Sequence, residues 1–391
     1  MSYNYLSKIC LFKINFKVEA IPKRYKEKSM TKSSLSVSRY INVNAGKIVL
    51  AFLLSLVTVM SFMATFPSAE DKQKETYDHK TSHPRWGIRS INATKAWNTT
   101  KGSEEVVVAV IDSGIEYSLS SIKDNMWVNE KEIPGDGMDN DENGYVDDVH
   151  GWDFWDDDTC AVNGSSINYH GTFVAGIIAA TPDETTGIAG VAPGVRLMDL
   201  RVLDNQGQLY TTDWSKLVDA INYAIDNGAD IINLSIYSTL TPPDFVHESV
   251  KQAIESGVLI VGIPGNGGEK VQYFGQWEEI LTVGAVDREG SAWNYSNHGS
   301  SVDLVGPGVD VLSLTPEGKV ESRSGTSFAA AHVAGTAALV LSIQPDLSVS
   351  ELTEILQESA KDLLEPGYDP KTGYGLVDAE KAIALAQRFR R

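Results

Sequence analysis

Ser324-Gly325-Thr326-Ser327-Phe328-Ala329-Ala330-Ala331-His332-Val333-Ala334-Gly335 is a run of small residues that places a serine at its start. The composition predicts a helix packed tightly into a core. A hydroxyl in the first turn of such a helix meets unpaired backbone N–H groups and the positive end of the helix dipole. Alone, the pattern also fits an ordinary helix cap. Two stretches upstream change its meaning. Val108-Ala109-Val110-Ile111-Asp112-Ser113-Gly114 ends an apolar strand with a carboxylate. His170-Gly171-Thr172-Phe173-Val174-Ala175-Gly176 opens a second small-residue helix with an imidazole. A serine hydroxyl is a weak nucleophile until a base within hydrogen-bond reach takes its proton. An imidazole titrates near neutral pH and can return that proton to a leaving group. A carboxylate fixes the imidazole tautomer and stabilises its charged form. Asp112, His170 and Ser327 are the candidates for those three roles.

Asp, His and Ser in that order, each in its own glycine-rich frame, resemble the subtilisin-like (subtilase) serine proteases. The resemblance runs from about Trp86 to the end of the chain. It implies a three-layer α/β domain, with a mostly parallel central sheet and helices on both faces, and peptide hydrolysis through an acyl-enzyme. An α/β-hydrolase is excluded by order and frame: its serine lies in Gly-x-Ser-x-Gly and precedes its partners, whereas here the frame is Gly325-Thr326-Ser327-Phe328-Ala329. Pro264-Gly265-Asn266-Gly267-Gly268, after the apolar Val258-Leu259-Ile260, is similar to the family's Gly-Asn-x-Gly segment. By that resemblance Asn266 and the backbone N–H of Ser327 donate to the oxyanion. Ser235, Ile236 and Tyr237, in Asn233-Leu234-Ser235-Ile236-Tyr237-Ser238, match a strand that pairs with substrate, and Gly265 lines the facing wall. Tyr237 and Pro264 stand where the family usually carries a glycine and a small residue. Both are expected to narrow the pocket and restrict specificity. Phe173 replaces a usual histidine and Ala331 a usual proline.

Alternating signals along the chain agree with an α/β class. Apolar strands are expected at Val106–Ile111, Ile231–Ile236, Val258–Ile263 and Ile280–Ala285. Trp214–Asn227 has helical spacing of Leu217, Ala220, Ile221 and Ala224 before the stop at Gly228, and Ser348 with Glu351 forms a capping-box pattern at the head of a later helix.

Of 391 residues, the first 66 read as targeting sequence. Ile48–Phe66 is a 19-residue stretch without a charge, preceded by Lys47, and suits either an export signal or a membrane anchor. Met30 offers an alternative start that would give a lead of ordinary length. Residues 67–84 form a short linker or pro-segment, and 85–391 the peptidase domain. A segment of that length is too short to fold as a pro-domain, so the enzyme is expected to fold unaided or with a helper in trans. Residues 1–69 hold 10 of the 33 Lys and Arg but 2 of the 52 Asp and Glu, which leaves 23 basic and 50 acidic side chains in the remainder. That charge repels nucleic acid and suits a solvated extracellular protein. Cys160 is the only cysteine after the hydrophobic stretch, which rules out an internal disulfide in an exported form.

Between Glu132 and Asp158 the chain is strongly acidic. Asp139, Asp141 and Asn143 supply oxygens at positions one, three and five of a calcium-loop pattern, with Gly144 at six and the Tyr145 carbonyl at seven. The twelfth position is His150, so Asp147 or Asp148 has to supply the closing carboxylate. A structural Ca2+ is expected, with Asp139, Asp141, Asn143, Tyr145 and Asp148 as ligands, and no organic cofactor. The expectation is therefore an exported, monomeric serine endopeptidase acting on a protein or peptide substrate, with membrane contact only through residues 48–66. A catalytically silent binding or scaffold protein of the same fold is the alternative.

Overall fold

The computed structural model describes residues 85–159, 167–210 and 213–389. The hydrophobic stretch Ile48–Phe66 and Cys160 lie outside the described residues.

The central sheet contains β1 (Val107–Asp112), β2 (Gly151–Asp153), β3 (Asp158–Thr159), β4 (Arg196–Arg201), β5 (Ile231–Leu234), β6 (Leu259–Gly262), β7 (Ile280–Val286) and β8 (Leu304–Pro307), in the order β3-β2-β4-β1-β5-β6-β7-β8. Every neighbouring pair is parallel except β2 with β3. Strands that alternate with helices and are buried on both faces produce such a sheet. Alternate residues of β1 separate the two faces. Val108 and Val110 pack with the Tyr169–Ala179 and Thr326–Leu341 helices, while Val107, Ala109 and Ile111 pack with the Trp214–Asp226 and Asp244–Glu255 helices. A small hairpin of β9 (Val311–Leu314) and β10 (Val320–Arg323) stands beside the sheet. Among the described residues no helix is long and apolar enough to cross a membrane.

The Thr326–Leu341 helix is buried along its whole length. Small side chains let it lie against β7 and β8. A Cβ on Gly306 would stand 2.6 Å from the Ala329 carbonyl oxygen, so the backbones touch directly. The helix continues unbroken through Ala331. The Val349–Ser359 helix carries the expected box: Ser348 accepts from the Glu351 N–H and the Glu351 carboxylate accepts from the Ser348 N–H.

Two elements depart from the sequence reading. Strand β5 stops at Leu234, not Ile236, because its neighbours leave the sheet at the same level: Leu234 pairs with Ile111 and with Gly262. Residues 235–237 are thereby released from the ladder at the strand's C-terminal end. Strand β4 has no counterpart in the apolar pattern, since Arg196-Leu197-Met198-Asp199-Leu200-Arg201 interleaves charges with apolar residues. It is nevertheless an interior strand, because its charges find partners. Asp199 accepts the Ile115 N–H at 3.1 Å, and buried Arg201 bridges Asp153 at 2.5 Å and Asp156 at 2.9 Å.

Candidate active site

The groups singled out in sequence gather at the C-terminal ends of β1, β5 and β6, where open parallel sheets commonly place their sites. Asp112 is the last residue of β1 and is fully buried. One carboxylate oxygen accepts the Ser113 N–H at 2.7 Å, and both lie 2.9 Å from His170 Nδ1. The turn after β1 is tied to the start of the His170 helix. Asn168 caps that helix by accepting the His170 N–H, the Gly171 N–H donates to Ser113 Oγ, and Ser113 Oγ donates to the Asn168 carbonyl. Gly171 is required at the contact, because a Cβ there would fall 2.5 Å from the Gly114 carbonyl oxygen. A carboxylate can only accept, so the imidazole facing it carries its proton on Nδ1, and Nε2 is the basic nitrogen.

Ser327 is the second residue of the Thr326–Leu341 helix, whose cap residue, Gly325, offers no side-chain acceptor. Its neighbour Phe328 brings the helix against His170, the two rings lying 5.8 Å apart. Phe173, where the family usually has histidine, is fully buried and packs on Phe328 at 4.6 Å. The aromatic pair thus fills the joint between the two helices. Behind the serine, Ser235 Oγ accepts from Asn233 Nδ2 at 2.9 Å and donates to the Ser327 carbonyl at 3.4 Å.

Asn266 lies beyond β6, next to the same helix. Its Oδ1 accepts both the Thr326 N–H at 2.9 Å and the Thr326 hydroxyl at 2.8 Å. A backbone N–H can only donate, so the atom it meets must be the amide oxygen. The Asn266 NH2 therefore points away from Thr326, with its donors available to a ligand. Gly265 holds φ at +105°, a left-handed conformation that favours glycine. Ser235 and Ile236 are buried after β5, whereas Tyr237 is 43% exposed at the rim. The two walls are joined at their outer ends: the Ser238 N–H donates to the Tyr273 carbonyl at 2.6 Å and the Gln272 N–H to the Pro264 carbonyl at 3.0 Å.

The acidic loop forms a separate cluster. Carboxylate oxygens of Glu132, Asp139 and Asp141 lie within 4.8 Å of one another. Asp139 accepts the N–H groups of Asn143 and Gly144, and the Asn143 side chain accepts the Tyr145 N–H. Asp148 lies outside this group of three. Fully buried, it accepts from Asn129, Asn143 and the Tyr223 hydroxyl. The Tyr145 ring packs among Trp152, Phe154 and Tyr223, which leaves its carbonyl as the only oxygen it could offer inside the loop. The structure thus brings together Asp139 and Asp141 of the expected ligands and adds Glu132. Six residues separate Glu132 from the loop motif, and no periodicity points back to it.

A helix-borne serine, a buried carboxylate–imidazole pair and an oriented amide at the ends of parallel strands match the parts that a serine hydrolase requires. The Subtilase family (peptidase S8) profile matches residues 103–375, and the chain belongs to that family. It is 34% identical over 313 residues to the intracellular serine protease of Paenibacillus polymyxa, covering 78% of this chain and 87% of the relative. It is 32% identical over 304 residues to thermitase of Thermoactinomyces vulgaris, covering 77% and 96%. The halolysin-like extracellular serine protease Nep of Natrialba magadii is 33% identical over 300 residues, 76% of this chain and 51% of that protein. The protein is a subtilase-type serine endopeptidase.

Proposed function

We propose that Ser327, His170 and Asp112 act as a catalytic triad and Asn266 as an oxyanion donor. The observation that carries this reading is the buried Asp112 carboxylate, with both oxygens 2.9 Å from His170 Nδ1, beside the helix that bears Ser327. Ser327 Oγ attacks the scissile carbonyl carbon while its proton passes to His170 Nε2. The oxyanion that forms accepts from Asn266 Nδ2 and from the Ser327 N–H. Collapse breaks the C–N bond, and His170 hands the proton to the leaving amine. Water then enters by the same route and releases the acid. Asp112 holds the imidazole orientation throughout. Turnover of a peptide substrate by residues 67–391, compared with Ser327→Ala, tests the assignment. Loss to background in the variant supports it, and equal rates overturn it and favour the silent scaffold.

Specificity is restricted in this reading, because Tyr237 places an exposed aromatic ring directly after the buried Ser235 and Ile236, which match the substrate-pairing strand. Profiling of a peptide library with the parent and Tyr237→Gly should show broader cleavage by the variant, and unchanged selectivity would refute the role. Glu132, Asp139 and Asp141 offer three hard oxygen donors in mutual contact, the chemistry that suits a Ca2+ ion bound for stability. The protein acts as an exported monomer. Support for export comes from the uncharged stretch 48–66 and the acidic remainder of the chain, while relatives include proteases named as extracellular and as intracellular. Residues 67–84 serve as a linker between the exported lead and the peptidase domain.

A further inference from the structure

The loop that carries Asn266 receives little from the sheet. Strand β6 ends at Gly262, and the Pro264–Glu269 backbone leaves the ladder. Besides the Gly268 N–H to Tyr295 and Gln272 N–H to Pro264 backbone bonds, it is held by one side chain more than thirty positions downstream. Asn297 is fully buried. Its Oδ1 accepts the N–H groups of Gly267 and Glu269, each at 2.9 Å, and its Nδ2 donates to the Pro264 carbonyl at 3.0 Å. Its own backbone N–H donates to the Gly265 carbonyl at 3.0 Å. One residue thus clamps the chain on both sides of Asn266. The clamp is itself fixed to the sheet, since the Ala285 N–H in β7 donates to Ser296 Oγ beside it. Fit is close enough to exclude any side chain at Gly265, where a Cβ would fall 2.6 Å from Asn297 Nδ2.

We infer that Asn297 is a positioning residue for the oxyanion donor. This inference rests on Asn266 acting as proposed above. Two anchors set the direction of the Asn266 NH2. Thr326 takes the amide oxygen, and Asn297 fixes the backbone from which the side chain springs. A hydrogen bond to a developing oxyanion is worth most when its donor is held in place before the charge appears. With alanine at 297, the N–H groups of Gly267 and Glu269 lose their acceptor and the Pro264 carbonyl keeps only the Gln272 N–H, and the loop is free to settle with Asn266 turned out of reach. Residues 235–237 are not touched by this clamp, whereas Pro264 and Gly265 opposite them are held by it, so the loss falls mainly on kcat with a much smaller change in KM.

A double-mutant cycle tests the inference with Asn266→Ala, Asn297→Ala and the combined variant in residues 67–391 on a peptide substrate. Removal of an oxyanion donor typically costs about a hundred- to a thousandfold in kcat. Asn297→Ala should cost about ten- to a hundredfold with KM within about twofold, an effect bounded by that of the donor it positions. In the Asn266→Ala background the same change should cost less than about twofold, since a misplaced donor cannot be lost twice. Losses that multiply, or an Asn297→Ala variant with full kcat beside a slow Asn266→Ala, would overturn the role of Asn297. Full kcat in Asn266→Ala would instead overturn the oxyanion assignment, and this inference with it. Should Asn297→Ala not fold, Asn297→Asp keeps the oxygen that serves Gly267 and Glu269 and removes only the donor to Pro264. It should give a smaller loss that likewise vanishes in the Asn266→Ala background.

Discussion

Asp112 and Glu132 are both buried carboxylates, and the protein treats them in opposite ways. Asp112 faces an imidazole across 2.9 Å and takes one backbone N–H. Glu132 takes the N–H groups of Asn140, Asp141 and Asp147, and faces Asp139 and Asp141. It has no Lys, Arg or His partner among the described residues. The first charge is answered from within the fold, by a group whose protonation can change during turnover. The second sits in a concentration of like charge met by backbone N–H groups and the Asn129 amide, with no cationic side-chain partner among the described residues. In the proposed function one arrangement supports chemistry, and the other a fold whose stability depends on the cations around it.

The largest effect should come from breaking the first arrangement. Asp112→Asn replaces an obligate acceptor by an amide whose NH2 faces Nδ1, which drives the His170 proton to Nε2 and removes the base. A fall in kcat of about ten-thousandfold is expected, as typical for loss of a triad carboxylate, with little change in thermal stability. A loss smaller than about tenfold would contradict the role given to Asp112. The second arrangement should respond to calcium instead. A ligand at a hundred to a thousand times its Kd stabilises the folded state by about 3–4 kcal/mol, so Tm should fall by roughly 5–10 °C when EDTA replaces Ca2+. Glu132→Gln sharpens the contrast, because it removes one repelling charge and one ligand together. It should raise Tm in EDTA and lower it in Ca2+, and curves that stay parallel to the parent would refute a shared site.

A third carboxylate marks the smallest effect. Asp303 lies between the Thr282 N–H and Gln357, and burial raises its pKa to about 6 from the usual 3.8. Between those values the unfolded chain releases its proton before the folded one. The stability contributed by protonated Asp303 is thus complete below about pH 4 and lost by pH 6, up to about 3 kcal/mol. His332 acts in the other direction over the same range. Fully buried in the Ser327 helix, it has its pKa lowered to about 4 from 6.5, so acidification below 6.5 destabilises the fold. The two slopes oppose each other. Asp303→Asn should therefore gain stability relative to the parent as pH rises from 4 to 6, seen as a Tm difference that grows with pH. A constant difference would show that folding does not raise the pKa of Asp303.

What the sequence made legible was local. Asp112, His170, Ser327 and Asn266 each lie in a short frame of glycines and small residues, because each must leave a strand or open a helix where backbones pass within contact distance. The apolar strands β1, β5, β6 and β7 and the Ser348 cap were readable as local patterns too, although the end of β5 was not. Strand β4 was hidden because Arg196, Asp199 and Arg201 break its apolar pattern, and their partners Asp153 and Ile115 are brought near only by the fold. Glu132 and Asn297 were hidden by distance. Neither belongs to the segment it organises, and a buried amide or carboxylate that serves a remote loop leaves no periodic trace. Asp148 has the spacing of a closing ligand, and the Tyr223 hydroxyl, from another layer, donates to one of its oxygens, a contact that no local pattern shows.

The central claim is that Ser327 is a nucleophile activated by the His170–Asp112 pair. It is tested most directly by incubating residues 67–391 with a fluorophosphonate and locating the adduct by peptide mass spectrometry, beside Ser327→Ala and Asp112→Asn. The account predicts a single adduct on Ser327, none in Ser327→Ala, and labelling slowed by orders of magnitude in Asp112→Asn. An adduct on another residue, or labelling at the parental rate without the Asp112 carboxylate, would contradict it.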